Sequence, residues 1–240
     1  MTSLYDVPRF YDALYTAAEA TTYYGDLAQR GTALELACGS GRITIPLAKR
    51  GIEMTGLDAS QPMLDRARSS SPDVTWTLGD MRTFDLGRKF ETVFIAHNSL
   101  LHLHDAADIV RCFERARAHL APGGRFAFDV FNPSVALLSR AKGERRRFGG
   151  FHDEEHGEVF VEDTVDYDAA TQVNRATLFF STAERPDFLT VPLHLRTIFP
   201  QELPLLVERA GLVLESRTGG FDGRAFDSKS RHQVCICRAE

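Results

Sequence analysis

The run Leu34-Glu35-Leu36-Ala37-Cys38-Gly39-Ser40-Gly41-Arg42 carries the strongest chemical signal in the chain. An apolar strand enters a Gly-x-Gly turn that opens a helix, so the backbone can turn tightly and present free N–H groups to a ligand. A dinucleotide fingerprint would want Gly or Ala three residues after Gly41, where Thr44 stands, and no Gly-Lys-Ser/Thr follows to make a P-loop. There is no Tyr-x-x-x-Lys pair of a short-chain dehydrogenase. Two further acids sit where a nucleoside would need them. Asp58 ends Met54–Asp58, a strand whose tip would stand beside the glycine turn. It could accept both ribose hydroxyls, as the acid roughly 20 positions on does in dinucleotide folds, or simply cap the helix before Gln61-Pro62. Asp80, in Leu78-Gly79-Asp80-Met81-Arg82, could accept an adenine amino group while Met81 packs on the ring, or serve as a turn former. Glu35 belongs to the same motif, with a salt bridge inside the sheet as its plainer role.

His97, His102 and His104 crowd one segment, and each could act as a general base near neutral pH. His97 is the first choice, with Asp129 or His194 as alternatives. Asn98 and Ser99 share its loop and are plausible polar contacts to a substrate. His152-Asp-Glu-Glu-His156 has metal-like spacing, but a zincin needs Glu directly after the first His, and Gly149, Gly150 and Gly157 argue against a helix that would align the rings. No metal site is expected. Cys235 and Cys237 fall on one face of a strand and read as core or edge positions.

These residues need elements to hold them. Ala33–Ala37, Val74–Leu78, Glu91–Ala96 and Gly124–Phe131 are apolar runs rich in strand formers. Between them lie helical patterns: Ile43, Leu47 and Ala48 before Gly51; a start at Ala59-Ser60-Gln61-Pro62 followed by Met63, Leu64 and Ala67; and Asp105 opening a face of Ile109, Val110, Phe113, Ala116 and Leu120. Alternation of strand and helix predicts a doubly wound, mostly parallel α/β sheet, with ligands at the carboxyl ends of its strands. From about Ser139 to Arg185 the rhythm changes. Arg140, Lys142, Arg145, Arg146 and Arg147 against Glu144 make a net +4 block, and Asp153–Asp168 carries eight carboxylates with no Lys or Arg. Val159–Val165 and Thr177–Phe180 look like antiparallel strands of an inserted cap. The α/β pattern resumes with Leu193–Phe199, a helix Gln201–Ala210 and strand Val213–Arg217, and Gln233–Arg238 closes as an edge strand or hairpin partner.

As a set, Glu-Leu-Ala-Cys-Gly-Ser-Gly-Arg, Gly-Leu-Asp-Ala-Ser, Gly-Asp-Met-Arg, His-Asn-Ser-Leu-Leu-His-Leu and Leu-Ala-Pro-Gly-Gly-Arg-Phe-Ala-Phe-Asp resemble the class I S-adenosylmethionine-dependent methyltransferases, in their small bacterial members that act on small molecules. The resemblance implies a Rossmann-like fold with an antiparallel C-terminal strand. It implies that Ala37–Gly41 line the amino-acid portion of S-adenosylmethionine, that Asp58 holds the ribose, that Asp80 and Met81 hold the adenine, and that His97 borders the methyl group. Glu35, Arg42, Ala59, Met63 and Ala96 complete the expected cofactor set. Ala37 departs from the glycine that many members carry. In relatives the N-terminal segment lies over the cofactor, which makes Tyr11, Tyr15 and Tyr24 candidates for a lid, with Tyr11 and Tyr24 toward the cofactor and Tyr15 toward the substrate. An aromatic wall would attract a sulfonium. Aromatic residues at helical spacing are also ordinary core. Phe131-Asn132-Pro133 resembles the Asn-Pro-Pro-Tyr motif of methyltransferases acting on DNA bases and glutamine, but follows the fifth strand and lacks the second Pro and the aromatic. Asn132 is read as a rim residue.

Length and composition bound the rest. The 240 residues are 43% hydrophobic and 25% charged, enough apolar surface for a folded core. No apolar stretch approaches the roughly 20 residues of a membrane helix, and the first residues show no basic-then-apolar signal. A net charge of −5 argues against a nucleic-acid partner. Four cysteines are too few for a disulfide framework, and a reducing cytoplasm is the default. The expected division is an N-terminal helical lid 1–30, an α/β cofactor domain 31–138 with 193–240, and a β-rich substrate cap 139–192. The expected activity is O- or N-methylation of a small-molecule acceptor by direct displacement, releasing S-adenosylhomocysteine, by a monomer or homodimer. Asn98, Asp129, Asn132, His194 and Arg196 are the polar candidates for the acceptor. An RNA methyltransferase using the Arg140–Arg147 run, and an S-adenosylmethionine-binding protein without methyl transfer, are the competing readings.

Overall fold

A computed structural model describes residues 3–29 and 31–240, so residues 1, 2 and 30 of the expected lid lie outside the described residues. The helices are α1 (Pro8–Leu14), α2 (Ala18–Ala28), α3 (Thr44–Lys49), α4 (Gln61–Ser70), α5 (Ala106–Ala118), α6 (Val135–Leu138) and α7 (Leu203–Arg209). The strands are β1 (Thr32–Leu36), β2 (Glu53–Asp58), β3 (Thr75–Leu78), β4 (Phe90–Ile95), β5 (Leu120–Phe131), β6 (Arg146–Asp153), β7 (Gly157–Asp168), β8 (Val173–Ser181), β9 (Leu189–Arg196), β10 (Leu212–Thr218) and β11 (His232–Ala239). Two compact units result: Ala17–Asn132 with Ile198–Glu240, and Met1–Thr16 with Pro133–Thr197. No helix among the described residues is long and apolar enough to cross a membrane.

The larger unit is a seven-stranded sheet in the order β10-β11-β5-β4-β1-β2-β3. β1 to β5 are parallel, and β11 runs antiparallel to both β5 and β10. Central strands buried on both faces need unbroken apolar runs, and Val93, Phe94, Ile95, Phe126, Ala127 and Phe128 are fully buried. Ser60 caps α4, its Oγ accepting from Met63 N at 3.4 Å, and turns Met63, Leu64 and Ala67 inward. Asp105 caps α5 by accepting from Ala107 N at 2.8 Å, and Ile109, Cys112, Phe113 and Ala116 then face the sheet. Leu120, read as the last turn of that helix, instead opens β5 opposite Phe90. Strand order reverses at β1, with β2 on one side and β4 on the other, and such a switch point opens a crevice at the carboxyl ends.

In the smaller unit β6-β7-β8-β9 form an antiparallel sheet. Val159, Val161, Leu178, Phe180 and Val191 make one apolar face, covered by Leu4 and by Phe10 of α1, whose ring stacks on Phe180 at 5.6 Å. One sequence expectation is corrected here. Leu193–Phe199 does not resume the α/β pattern: its first residues belong to β9, which pairs with β8. Gln233–Arg238 is a hairpin partner, one of the two roles its sequence allowed: β11 pairs with β10 and β5, and β10 takes the edge. Of the N-terminal segment read as a lid, α1 joins the antiparallel unit and α2 the parallel one.

The basic run is consumed inside its own unit. Arg140 is buried and holds Asp163 at 2.7 and 3.0 Å; Lys142 pairs with Asp166 at 2.7 Å, Arg145 with Asp187 at 2.7 Å and Arg146 with Glu144 at 2.7 Å. Arg147 lies over the Phe160 ring at 4.8 Å. Asp153, Glu155 and His156 bring ligand-type atoms within 4.8 Å of one another. Arg9 sits on that cluster, 2.6 Å from Glu155 and 3.8 Å from Asp153, and supplies its positive charge.

Packing at the switch point is tight enough to test. A Cβ on Gly56 of β2 would fall 2.6 Å from the Trp76 ring and 2.8 Å from Cys38 Sγ. Gly56→Ala should cost about 1–3 kcal/mol and lower the melting temperature by several degrees. An unchanged thermal melt would show that Trp76 moves aside freely.

Candidate functional site

The turn after β1 needs backbone that few residues adopt. Ala37, Gly39 and Gly41 have φ of 56°, 56° and 82°, the left-handed region where a side chain is strained. The two glycines differ in purpose. A Cβ on Gly41 would meet Trp76 at 2.6 Å, so packing requires glycine there. A Cβ on Gly39 would meet nothing within 4 Å, so open space stands over it. That space is where a ligand could approach the backbone.

Asp58 closes β2 beside this turn. Its Oδ2 accepts from Gly39 N and its Oδ1 from Ser60 N, both at 2.7 Å. Burial raises its pKa, opposed by these backbone donors. A carboxylate has about four lone-pair positions, so each oxygen can still accept a hydroxyl. The residues therefore fit a ribose next to an open glycine turn. Ala59 is exposed beside it, and Arg42 is half-buried. Glu35 is only 3% exposed and accepts from Thr44 Oγ1, tying β1 to the start of α3. Desolvation pushes its pKa up to about 8. It braces the turn from inside and offers a ligand almost no surface. Met63, at 0%, and Ala96, at 4%, are likewise buried.

Asp80 is held by its neighbour. Arg82 Nε lies 2.9 Å from both of its oxygens, Arg82 N donates at 2.8 Å, and Arg82 Nη1 reaches Asp108 at 2.9 Å. These hydrogen bonds keep the Asp80 carboxyl below the usual range. Met81 beside it is half-buried.

β4 ends in a second left-handed turn, His97 and Asn98 having φ of 54° and 62°. Two side-chain hydrogen bonds hold it. Asp129 Oδ1, on neighbouring β5, accepts from His97 N at 3.0 Å, and Asn98 Oδ1 accepts from Phe131 N at 2.6 Å. Tyr24 of α2 donates its hydroxyl to the same Asp129 oxygen at 2.8 Å, its ring stacked on Phe94 at 4.5 Å. Burial raises the pKa of Asp129. His97 is half-buried, and its Nε2 is buried without a hydrogen-bond partner among the described residues. Desolvation pushes its pKa below 6.5, so it is neutral at pH 7. His102 is pushed down to about 4 by burial and by the nearby His104, which is exposed. Asn132 donates to Ser230 O at 2.9 Å.

The three tyrosines of the expected lid divide. Tyr24 is fully buried in the parallel unit and supports Asp129. Tyr11 and Tyr15 pack in the antiparallel unit, 5.1 Å apart, on the face that Val159 and Leu178 share. His194 is exposed on β9 opposite Arg175, and Arg196 is buried, donating to Gln172 at 2.9 Å. Sequence reading missed Trp76 and Arg82; the placement of a Trp on the strand flanking Gly56 was the available signal.

Glu35 generates a prediction. Its folded pKa near 8 lies above the ordinary 4.5, so between these values the unfolded chain releases a proton that the folded chain keeps. Stability is then lost as pH rises through that window. Thermal melts from pH 5 to 8 should show a falling trend that flattens in Glu35→Gln. Parallel pH trends in the two proteins would refute the assignment.

Comparison with known proteins fits this geometry. A family model described as a methyltransferase domain matches residues 33–124. The CcbJ methyltransferase of Streptomyces caelestis superposes with a TM-score of 0.80 at 32% identity, over 92% of this chain and 88% of that one. The dTDP-3-amino-3,6-dideoxy-alpha-D-glucopyranose N,N-dimethyltransferase of Streptomyces fradiae is 40% identical over 91 residues, 38% of this chain and 36% of that protein. The cypemycin N-terminal methyltransferase of a Streptomyces species is 26% identical over 213 residues, 85% of this chain and 82% of that protein. Several curated relatives thus align over less than half of their own length.

Proposed function

The chain belongs to the S-adenosylmethionine-dependent methyltransferases, and from that membership we propose that it methylates a small-molecule acceptor at an amine nitrogen. The observation that carries this reading is the pairing, at the carboxyl ends of adjacent strands, of an open glycine turn beside Asp58 with a left-handed turn that presents a neutral histidine. The fradiae relative is an N,N-dimethyltransferase and the cypemycin relative an N-terminal methyltransferase, which supports the amine.

S-adenosylmethionine, when bound, supplies an electrophilic methyl group on a positively charged sulfur. The chain's own part is placement and proton handling. Ala37, Gly39 and Gly41 hold the amino-acid portion by backbone, Asp58 holds the ribose, and Met81 with Asp80 borders the adenine. His97, neutral and with an unpartnered Nε2, takes the proton that an ammonium acceptor must lose before its lone pair can attack. Asp129 and Tyr24 act through His97, by fixing the backbone that carries it. Orientation of the nucleophile contributes much of the acceleration in such a displacement. The competing RNA reading needs free cations, and those of Arg140–Arg147 are engaged with neighbouring carboxylates or an aromatic ring.

Isothermal calorimetry should detect S-adenosylhomocysteine binding, weakened at least tenfold (about 1.4 kcal/mol) in Asp58→Ala. No binding by the wild-type chain would overturn the cofactor assignment. With an acceptor amine in hand, His97→Ala should lower kcat by about 10²–10⁴-fold and leave S-adenosylhomocysteine affinity unchanged. Wild-type activity should fall on acidification through a pKa below 6.5, a limb that the variant lacks. Equal kcat in both would remove His97 from the chemistry.

A further inference from the structure

The parallel unit contains a cavity of about 850 Å³ that none of the roles above employs. It lies between α2 and the connection 219–231 that joins β10 to β11. Because β10 runs parallel to β5, this connection emerges at the carboxyl ends of the parallel strands, on the side of the His97 turn. The register makes the proximity definite. His232, in the cavity wall, pairs with Phe131, two residues beyond Asp129.

The wall has two characters. Its floor is apolar and aromatic, with the Tyr23 and Phe221 rings 5.5 Å apart above Leu27 and Ile236. Its rim is charged, and three of its six Asp, Glu, Lys and Arg side chains are already matched: Arg224 pairs with Asp222 at 2.6 Å, and Asp26 with Arg50 at 2.7 Å. Lys229 and Arg231 have no ion-pair partner among the described residues, and Glu19, the third carboxylate of the wall, acts on Arg224. The backbone that carries these cations is fixed. Lys229 N donates to Asp227 Oδ1 at 2.9 Å, and the carbonyls of Ser230 and Arg231 accept from Asn132 at 2.9 and 2.8 Å. His232 adds an Nδ1 that is buried and without a hydrogen-bond partner among the described residues.

We propose that this cavity receives the methyl acceptor, and that the acceptor is a ring-bearing anion. Its phosphoryl or carboxylate group sits on Lys229 and Arg231, and its ring lies against Tyr23 and Phe221. This inference rests on the methyl-transfer reading above. Charge-assisted hydrogen bonds to fixed cations are the strong contacts of such a site, and the aromatic floor supplies apolar area. Acceptor choice then resides in part on the parallel unit, in residues that follow the strand motifs by more than 80 positions.

Saturation-transfer NMR titrations with phenyl phosphate, benzoate and benzyl alcohol test it. At least one of the two anions should bind saturably and ten times more tightly than the neutral alcohol; the tighter of the two identifies the group the rim prefers. The double variant Lys229→Ala/Arg231→Ala should lose that anion at least fivefold while its S-adenosylhomocysteine affinity by calorimetry is unchanged. Anions no tighter than the alcohol, an unaffected double variant, or a variant that loses S-adenosylhomocysteine instead would each overturn the proposal. A wild-type chain that binds the anion but not S-adenosylhomocysteine would sink the methyl-transfer reading while leaving the anion site standing.

Discussion

One buried carboxylate holds the site together. Asp129, 2% exposed on β5, accepts the His97 N–H from the turn after β4 and the Tyr24 hydroxyl from α2. Burying such a group is costly unless hydrogen bonds compensate for lost water, so its position is tolerable only with both donors in place. The same bonds force a non-glycine pair, His97 and Asn98, to stay left-handed, a conformation that persists only where the surroundings over-determine it. Asn98 contributes the second restraint through Phe131 N. Three elements are thereby referred to one oxygen atom.

The opposite wall of the crevice is built by steric exclusion instead. Gly41 and Gly56 leave room for the Trp76 ring, while Gly39 leaves room for nothing that the chain itself provides. Glu35 locks the turn to α3 from behind through Thr44. Asp58 then spans the two systems, one oxygen on Gly39 and the other on Ser60 at the cap of α4. A rigid frame on both sides of β1 is what direct displacement needs, because its barrier depends on how well nucleophile and methyl carbon are aligned.

Much of this frame was legible because it is written in local chemistry. Apolar runs marked the central strands, Ser60 and Asp105 announced their helices, and the glycine spacing marked the turn. What escaped depends on which surface a residue finally meets. Tyr11 and Tyr24 have similar helical contexts, yet one packs on an antiparallel sheet and the other bonds Asp129 beneath the His97 turn. Periodicity gives a buried face, never its partner. β6 begins in a basic run and carries paired glycines, so it lacks the alternation that marks a strand. Arg140 reads as a solvated cation and is buried, because Asp163, far along the chain, supplies a bidentate partner. The cations of the 219–231 connection lie in no motif; only the hairpin's direction brings them to the carboxyl ends of the parallel strands.

The most direct measurement is a crystal structure of the complex with S-adenosylhomocysteine. The expected result places the amino-acid portion against Ala37–Gly41, the ribose hydroxyls within hydrogen-bond distance of Asp58, and the sulfur facing the His97–Asn98 turn. A nucleoside bound without contact to Asp58, or a sulfur directed away from that turn, would contradict the assignment of this crevice to methyl transfer.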